Sequence, residues 1–433
     1  MSAKATPIGK RVWVCTILFG LAGQIAWVVE NMYFATFAQD IFANSSRSDL
    51  SYVVTTLMVI FSALTATVTT IIAGGISDRV GKRKPFIAWG YIIWGITIIA
   101  FAFFPMSASG NTVYAVAVML VVMDCVMTMA GSTSNDAAFN AYLADNTDHT
   151  NRGRLNTVVS ILPIIAVIIV FVGIGNLYSA SNESNSLFFI VLGVIPLVLG
   201  VLGLFIIKDS PKIEKTAISG KMFFSGFSRS FAREHKELFI CLAALCVVGI
   251  SQQTFYSYII NFVERTLGFT DYILPLAIII LGAAAFTLII GFNLDRIGRG
   301  KCMIPLLLLS AAGMLILYFA QYTDSSRFVV TCIGGIAIFA GLFPLTAALT
   351  ATFQDNIPTG LEGRCQGIRM VFSVLIPMII GPIISLLLGL DAMGMNGDDF
   401  APPFSIMLAG AIIAFLALIP IGILLKCEKN DKV

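Results

Sequence analysis

A short charged motif occurs twice, half a chain apart, and each copy lies between two long apolar runs. Gly74-Gly75-Ile76-Ser77-Asp78-Arg79-Val80-Gly81-Lys82 and Gly291-Phe292-Asn293-Leu294-Asp295-Arg296-Ile297-Gly298-Arg299 both read G-x-x-x-D-R-x-G-[KR]. Asp78 and Asp295 are 217 residues apart in a chain of 433. A second landmark, Asp145-Asn146 followed by Gly153-Arg154, returns as Asp355-Asn356 followed by Gly363-Arg364 at nearly the same offset. Two independent landmarks with one offset imply a duplicated unit.

Composition says what solvent that unit lives in. Apolar residues make up 58% of the chain and charged residues 12%, with a mean hydropathy of +0.91. So much apolar surface exceeds what a water-soluble fold of this length can bury, so lipid is the expected solvent. The first apolar run is too long for a signal peptide and lacks a convincing cleavage site, so it reads as a retained span. The eight cysteines fall in spans or near the expected cytoplasmic ends, which implies no disulfide framework. Both histidines, His149 and His235, fall in polar loops, and no metal site or cofactor is expected.

Apolar runs can be placed at about 12–37, 51–73, 86–105, 113–143, 155–178, 187–207, 238–263, 272–292, 302–321, 328–352, 365–388 and 404–425. Only helices suit segments of this length in lipid. The expected fold is therefore an all-α membrane protein of twelve transmembrane helices in two pseudo-symmetric six-helix bundles. The expected domains are 1–207, a cytoplasmic linker over 208–237, and 238–433; the linker carries Phe223, Phe224, Phe227 and Phe231 and reads as an interfacial helix. With the N-terminus inside, 24 Lys and Arg fall in cytoplasmic segments, and only Arg47, Arg265 and Arg327 fall outside. That split places both termini in the cytoplasm.

Two six-helix halves, each with this motif between its second and third helices, resemble the major facilitator superfamily over essentially the whole chain. The resemblance implies that the loops holding Gly74, Asp78, Arg79, Gly81 and Lys82, and Gly291, Asp295, Arg296, Gly298 and Arg299, latch one access state. Elementary physics supports a gating role. Glycine permits close contact and a tight turn, an Asp suits the positive end of a neighbouring helix, and the basic residues sit at lipid headgroups. Anchoring of topology by positive charge is the structural alternative.

The stretch Asn135-Asp136-Ala137-Ala138-Phe139-Asn140-Ala141-Tyr142-Leu143-Ala144-Asp145, followed by Arg152-Gly153-Arg154, is more particular. It resembles the fourth-helix region of the glycoside–pentoside–hexuronide:cation symporters, the melibiose permease group, as do Gly20 to Tyr33 and Gly81-Lys82-Arg83-Lys84-Pro85. On that resemblance Asp136 takes the place of a sugar-binding Asp. Two features depart from the group. No carboxylate stands near Gln24-Ile25, and Ser62–Thr70 offers Ser and Thr where the group has an acidic pair for sodium. A proton is the favoured coupling ion, with sodium the open alternative.

Ionisable residues are costly in spans and tend to face a bundle interior or cavity. They are Glu30 in the first helix, and Asp124 and Asp136 in the fourth. At 1.5 Å per residue, Asp124 falls about 16 Å from the outer start of the fourth helix, near the midplane, and Asp136 about 35 Å along. Depth favours Asp124, resemblance favours Asp136, and both stay as candidates. Asp124, Thr128, Gly131 and Asn135 form one stripe at helical spacing. Gln24, Trp27 and Asn31 form another beside Glu30, and the seventh helix adds Gln252, Gln253, Tyr256, Ser257 and Asn261. Amides, hydroxyls and an aromatic face suit a sugar; interhelical hydrogen bonding is the structural alternative.

Only Arg369, near the start of the eleventh helix, brings a basic residue close to the membrane interior, so an anionic substrate lacks a counter-ion. Low dielectric favours the neutral form of a carboxyl, which lets an intramembrane acid take up and release protons. The expectation is a monomeric, proton-coupled sugar or glycoside symporter of a cell inner membrane, with helices 1, 4, 7 and 10 around its site and no nucleic-acid partner. The alternative is a proton-coupled exporter of drugs or amphipathic cations, although the fifth span lacks that group's Gly-Pro signature. A receptor lacks an appended domain here, and an intramembrane enzyme lacks a catalytic dyad at span depth.

Overall fold

Apolar runs of 20 or more residues in lipid must satisfy their backbone groups internally, and the described elements are all helical. A computed structural model describes residues 8–43, 45, 47–110, 112–147, 152–179, 185–210, 229–323, 326–358, 362–396 and 400–430. Most of the expected linker (211–228), His149, and the side chains of Arg154, Asp295, Arg296 and Arg364 lie outside the described residues.

Among the described residues, eleven helices are long and apolar enough to cross a membrane. They are α1 Lys10–Ala43, α2 Leu50–Val80, α3 Lys84–Phe103, α4 Thr112–Asp145, α6 Ser186–Ile206, α7 Lys236–Tyr256, α8 Ile273–Gly291, α9 Arg299–Tyr322, α10 Arg327–Asp355, α11 Gly367–Met393 and α12 Ser405–Cys427. The remaining span, α5, starts at Arg152 and ends at Leu177, with a shorter apolar stretch, Ile161–Leu177. Large apolar side chains stay outside, among them Trp89, Ile93 and Ile96 of α3. A fold solvated by lipid has no reason to bury them.

The chain divides into two compact units, Met1–Ile218 and Ser219–Val433. In the first, α1 packs on α5, α2 on α4, and α3 on α4 and α6. In the second, α7 packs on α11, α8 on α10, and α9 on α10 and α12. Every one of these pairs in the first unit recurs six helices later, so the sequence repeat is also a packing repeat.

Several spans run past their sequence limits, α2 from 73 to Val80 among them, and two of the departures involve polar residues. The first continues past Phe37 to Ala43 through a π-helical turn, Glu30–Phe34. Gln39 and Asp40 break the apolar run yet are fully buried, because Asp40 accepts the Tyr178 hydroxyl at 2.7 Å. A buried acid with such a donor continues the helix rather than ending it. The seventh span is interrupted at Ser257 and Tyr258 before the short helical pieces Ile259–Asn261 and Phe262–Thr266.

Candidate functional site

The first unit buries two acids side by side in its polar interior. Glu30 opens the π-helical turn of α1 and is 7% exposed; Asp124, from α4, is 2% exposed. Ser62 of α2 and Thr128 of α4 both donate to Glu30 Oε1 at 2.8 Å, and their own oxygens are 3.0 Å apart. Glu30 Oε2 and Asp124 Oδ1 are buried without a hydrogen-bond partner. Neither acid has a basic partner among the described residues. Buried carboxyls without a counter-ion are held together at a cost that a merely structural site avoids.

Asn135 leaves the expected stripe. After Gly131, α4 passes into a π-helical turn, Ser132–Phe139, whose wider spacing re-aims the side chains that follow. Asn135 donates to the Tyr91 hydroxyl at 2.7 Å, which donates to the Phe19 carbonyl at 2.6 Å. That bridge ties α4 and α3 to α1. Trp27 lies 5.1 Å from Trp94, centroid to centroid, and Gly131 admits both rings: a Cβ there would come 2.8 Å from Trp94 and 3.2 Å from Trp27. Gln24 and Trp27 are half-buried, and Asn31 donates to its own helix at the Trp27 carbonyl. Asp136 is half-buried, accepts the Ser132 hydroxyl at 3.1 Å, and does not join the hydrogen bonds around Glu30.

Beside each copy of the doubled motif, a loop arginine pairs with the aspartate of the second landmark. In the first copy Asp78 pairs with Arg83 at 2.6 Å, and Arg83 Nε reaches Asp145 at 2.9 Å. Arg83 is 5% exposed and also donates to Ser77 at 2.5 Å. Burial opposes the Arg83 charge, but its bonds to Asp145 and Asp78 outweigh that and raise its pKa. The carboxylate at the positive end of a helix is Asp209, just beyond α6, which accepts from the Arg83 and Lys84 amides at 2.7 and 2.8 Å. Asp78, expected to suit a helix end, pairs with Arg83 within its own unit.

Gly81 closes α2 in the left-handed region, at φ 68°, and Gly298 stands at φ 98° in the matching turn. Side chains rarely adopt either angle. In register with Asp78 and Asp295, Gly300 stands where Arg83 does. The second copy instead pairs Arg299 with Asp355 at 2.5 Å, with side chains 29% and 69% exposed.

In the second unit, Gln252, Gln253 and Tyr256 occupy the last turns of α7 before its interruption, all half-buried. Broken spans of this kind present polar groups at membrane depth. Gly381 of α11 lies against Gln253, where an added Cβ would come within 2.6 Å of the glutamine's own Cβ. Ser385 donates to the Thr254 carbonyl, and Asn261 accepts from Arg265 at 3.2 Å. No group of three or more His, Cys, Asp or Glu that could hold a metal ion occurs among the described residues.

Asp40, Arg83 and Asp209 are the residues that sequence reasoning missed. The basic run Lys82-Arg83-Lys84 and an acid directly after the sixth apolar run were the available signals for the last two.

The fold has many solved counterparts. A D-xylose–proton symporter matches with a TM-score of 0.75 at 16% identity, over 95% of this chain and 97% of that one. A nucleoside transporter matches with a TM-score of 0.67 at 13% identity, over 94% and 99%. A bacterial homologue of the human lysosomal transporter Spinster matches with a TM-score of 0.66 at 14% identity, over 95% and 96%. A search of curated protein sequences finds no match. Residues 12–382 match the Major Facilitator Superfamily, so this chain is a multi-pass membrane transporter that belongs to that family.

Proposed function

We propose that the protein is a proton-coupled symporter of a neutral sugar or glycoside, working as a monomer by alternating access in a cell inner membrane. One observation carries the reading: Glu30 and Asp124 are buried together with Ser62 and Thr128, with no basic partner among the described residues. Such a pair answers to protons rather than to an anionic substrate. Gln252, Gln253 and Tyr256 beside a broken span, and the half-buried Trp27 and Gln24, supply neutral hydrogen-bonding and stacking groups. The fold shared with a D-xylose–proton symporter agrees with this reading without naming the sugar.

The test is uptake into proteoliposomes of a panel of labelled mono- and disaccharides under an imposed pH gradient, with a sodium gradient and a nucleoside panel as separate arms. Accumulation of one saccharide class is expected, and it collapses when the pH gradient is dissipated. Accumulation driven by sodium alone would refute proton coupling, and transport confined to nucleosides would refute the sugar.

A second reading has its own observation. An apolar groove between α2 and α4 is lined by Phe61, Thr65, Val122, Cys125, Val126 and Met129. Such a surface suits the apolar part of an amphipathic cation. Proton-driven export of a lipophilic cation from inverted vesicles, without saccharide uptake, would favour the exporter.

A further inference from the structure

The two buried acids of α1 and α4 sit in different hydrogen-bond environments. Glu30 Oε1 faces two hydroxyl donors, Ser62 and Thr128, each at 2.8 Å. The Asp124 carboxyl receives no hydrogen bond from the described residues, and its Oδ1 is fully buried. Donors solvate a carboxylate charge, whereas a carboxyl buried without them keeps its proton. The ionisable groups near enough to act on the Glu30 charge are Asp124 and Asp136, both from α4, while Cys125, next to Asp124 in sequence, lines the groove between α2 and α4. Either carboxyl, once ionised, disfavours a second negative charge beside it, and no cation pairs with Glu30 or Asp124 among the described residues.

Thr128 links the acids. It has one hydroxyl proton and three oxygens within reach: Glu30 Oε1 at 2.8 Å, the Asp124 main-chain carbonyl at 2.9 Å and Ser62 Oγ, itself a donor to Glu30, at 3.0 Å. When Glu30 is ionised, that proton belongs on Oε1. When Glu30 carries its own proton, the Thr128 proton is free to turn to the α4 backbone.

Resting on the proton-coupled reading above, we propose that the acids divide the work of coupling. Glu30 takes up and releases the transported proton, and Asp124 stays protonated throughout the cycle. Thr128 is the positioning residue, exchanging its hydroxyl proton between Glu30 and the α4 backbone as Glu30 is loaded. Loading adds one proton to Glu30 and takes the pair from one negative charge to none; unloading returns it. One positive charge therefore crosses with each neutral substrate molecule.

The reversal potential of substrate flux in proteoliposomes measures that ratio on the unaltered protein. One charge per substrate is expected, and two would overturn the division of labour while leaving proton coupling intact. A flux blind to both pH and potential would overturn the proton-coupled reading itself, and this assignment with it.

Variants give an independent readout. Asp124→Asn is expected to slow transport yet keep accumulation dependent on the pH gradient. Glu30→Gln is expected to lose that dependence while still exchanging internal for external substrate. The reverse pattern would make Asp124 the carrier and sink the proposal. Thr128→Val should displace the pH profile of uptake by about tenfold in proton concentration, the order expected for one hydrogen bond to a charged group, and Thr128→Ser should restore it. An unmoved profile in Thr128→Val would remove Thr128 from the mechanism.

Discussion

Arg83 holds Asp78 at 2.6 Å from a site that is 5% exposed, whereas the matching position in the second half is Gly300. The pair with the second landmark recurs, Arg83 on Asp145 and Arg299 on Asp355, but from different loop positions and with different burial. Arg83→Ala leaves Asp78 and Asp145, each about a fifth exposed, without the cation they share, a loss of about 2–3 kcal/mol. Arg299→Ala breaks a pair whose aspartate is 69% exposed, so its loss stays within about 1 kcal/mol. Thermal unfolding of the two variants in detergent checks the asymmetry; equal shifts would refute it.

Asp209 accepts from two amides at the start of α3, one of them belonging to Arg83 itself. Asp209→Ala should cost about 1 kcal/mol through the lost cap. In the double variant with Arg83→Ala, the combined loss should fall short of the sum of the single losses, because Asp209 orders the segment that aims Arg83. A double-variant cycle in the same unfolding assay measures that coupling, and strict additivity would contradict it.

Gln253 lies in the last turn of a helix that ends at Tyr256, two residues before the short piece Ile259–Asn261. In the proposed site its amide bonds a substrate hydroxyl, so Gln253→Ala should raise KM for the transported saccharide by about 3–10-fold, the size of one neutral hydrogen bond. A change in the pH dependence of uptake with KM unmoved would place Gln253 outside substrate contact.

At the outer end of α2, Arg47 clasps Asp49 at 2.7 Å and donates to the Tyr114 hydroxyl at 2.7 Å. The Arg47 hydrogen bond holds the Asp49 carboxyl below its ordinary value. The clasp is therefore fully present above the ordinary carboxylate range and is lost as pH falls through the depressed value. A spin label attached through Ser45→Cys should gain mobility on acidification, and Asp49→Asn should be mobile at every pH. A label insensitive to pH in the unaltered loop would contradict the clasp.

The duplication was legible because both copies of the motif carry charge in an otherwise apolar chain, where any Asp-Arg pair stands out. The chemical types of the site were legible for the same reason: Glu30 and Asp124 are acids where acids are costly. Their partners were not. Nothing in the linear pattern says that Ser62 and Thr128 converge on Glu30, since that depends on how α1, α2 and α4 cross. Asn135 kept its place in the helical count but lost it in space, because a π-helical turn is invisible to a period of 3.6 residues. The continuation of the first span from Phe37 through Asp40 was hidden because the partner of Asp40, Tyr178, lies in another span.

The most direct measurement is proton movement on substrate addition. In lightly buffered vesicles carrying the protein, adding the transported saccharide without any imposed gradient should alkalinise the medium as sugar and proton enter together. Glu30→Gln should bind and exchange sugar without that signal. Sugar entry with no pH change in the unaltered protein would contradict the account at its centre.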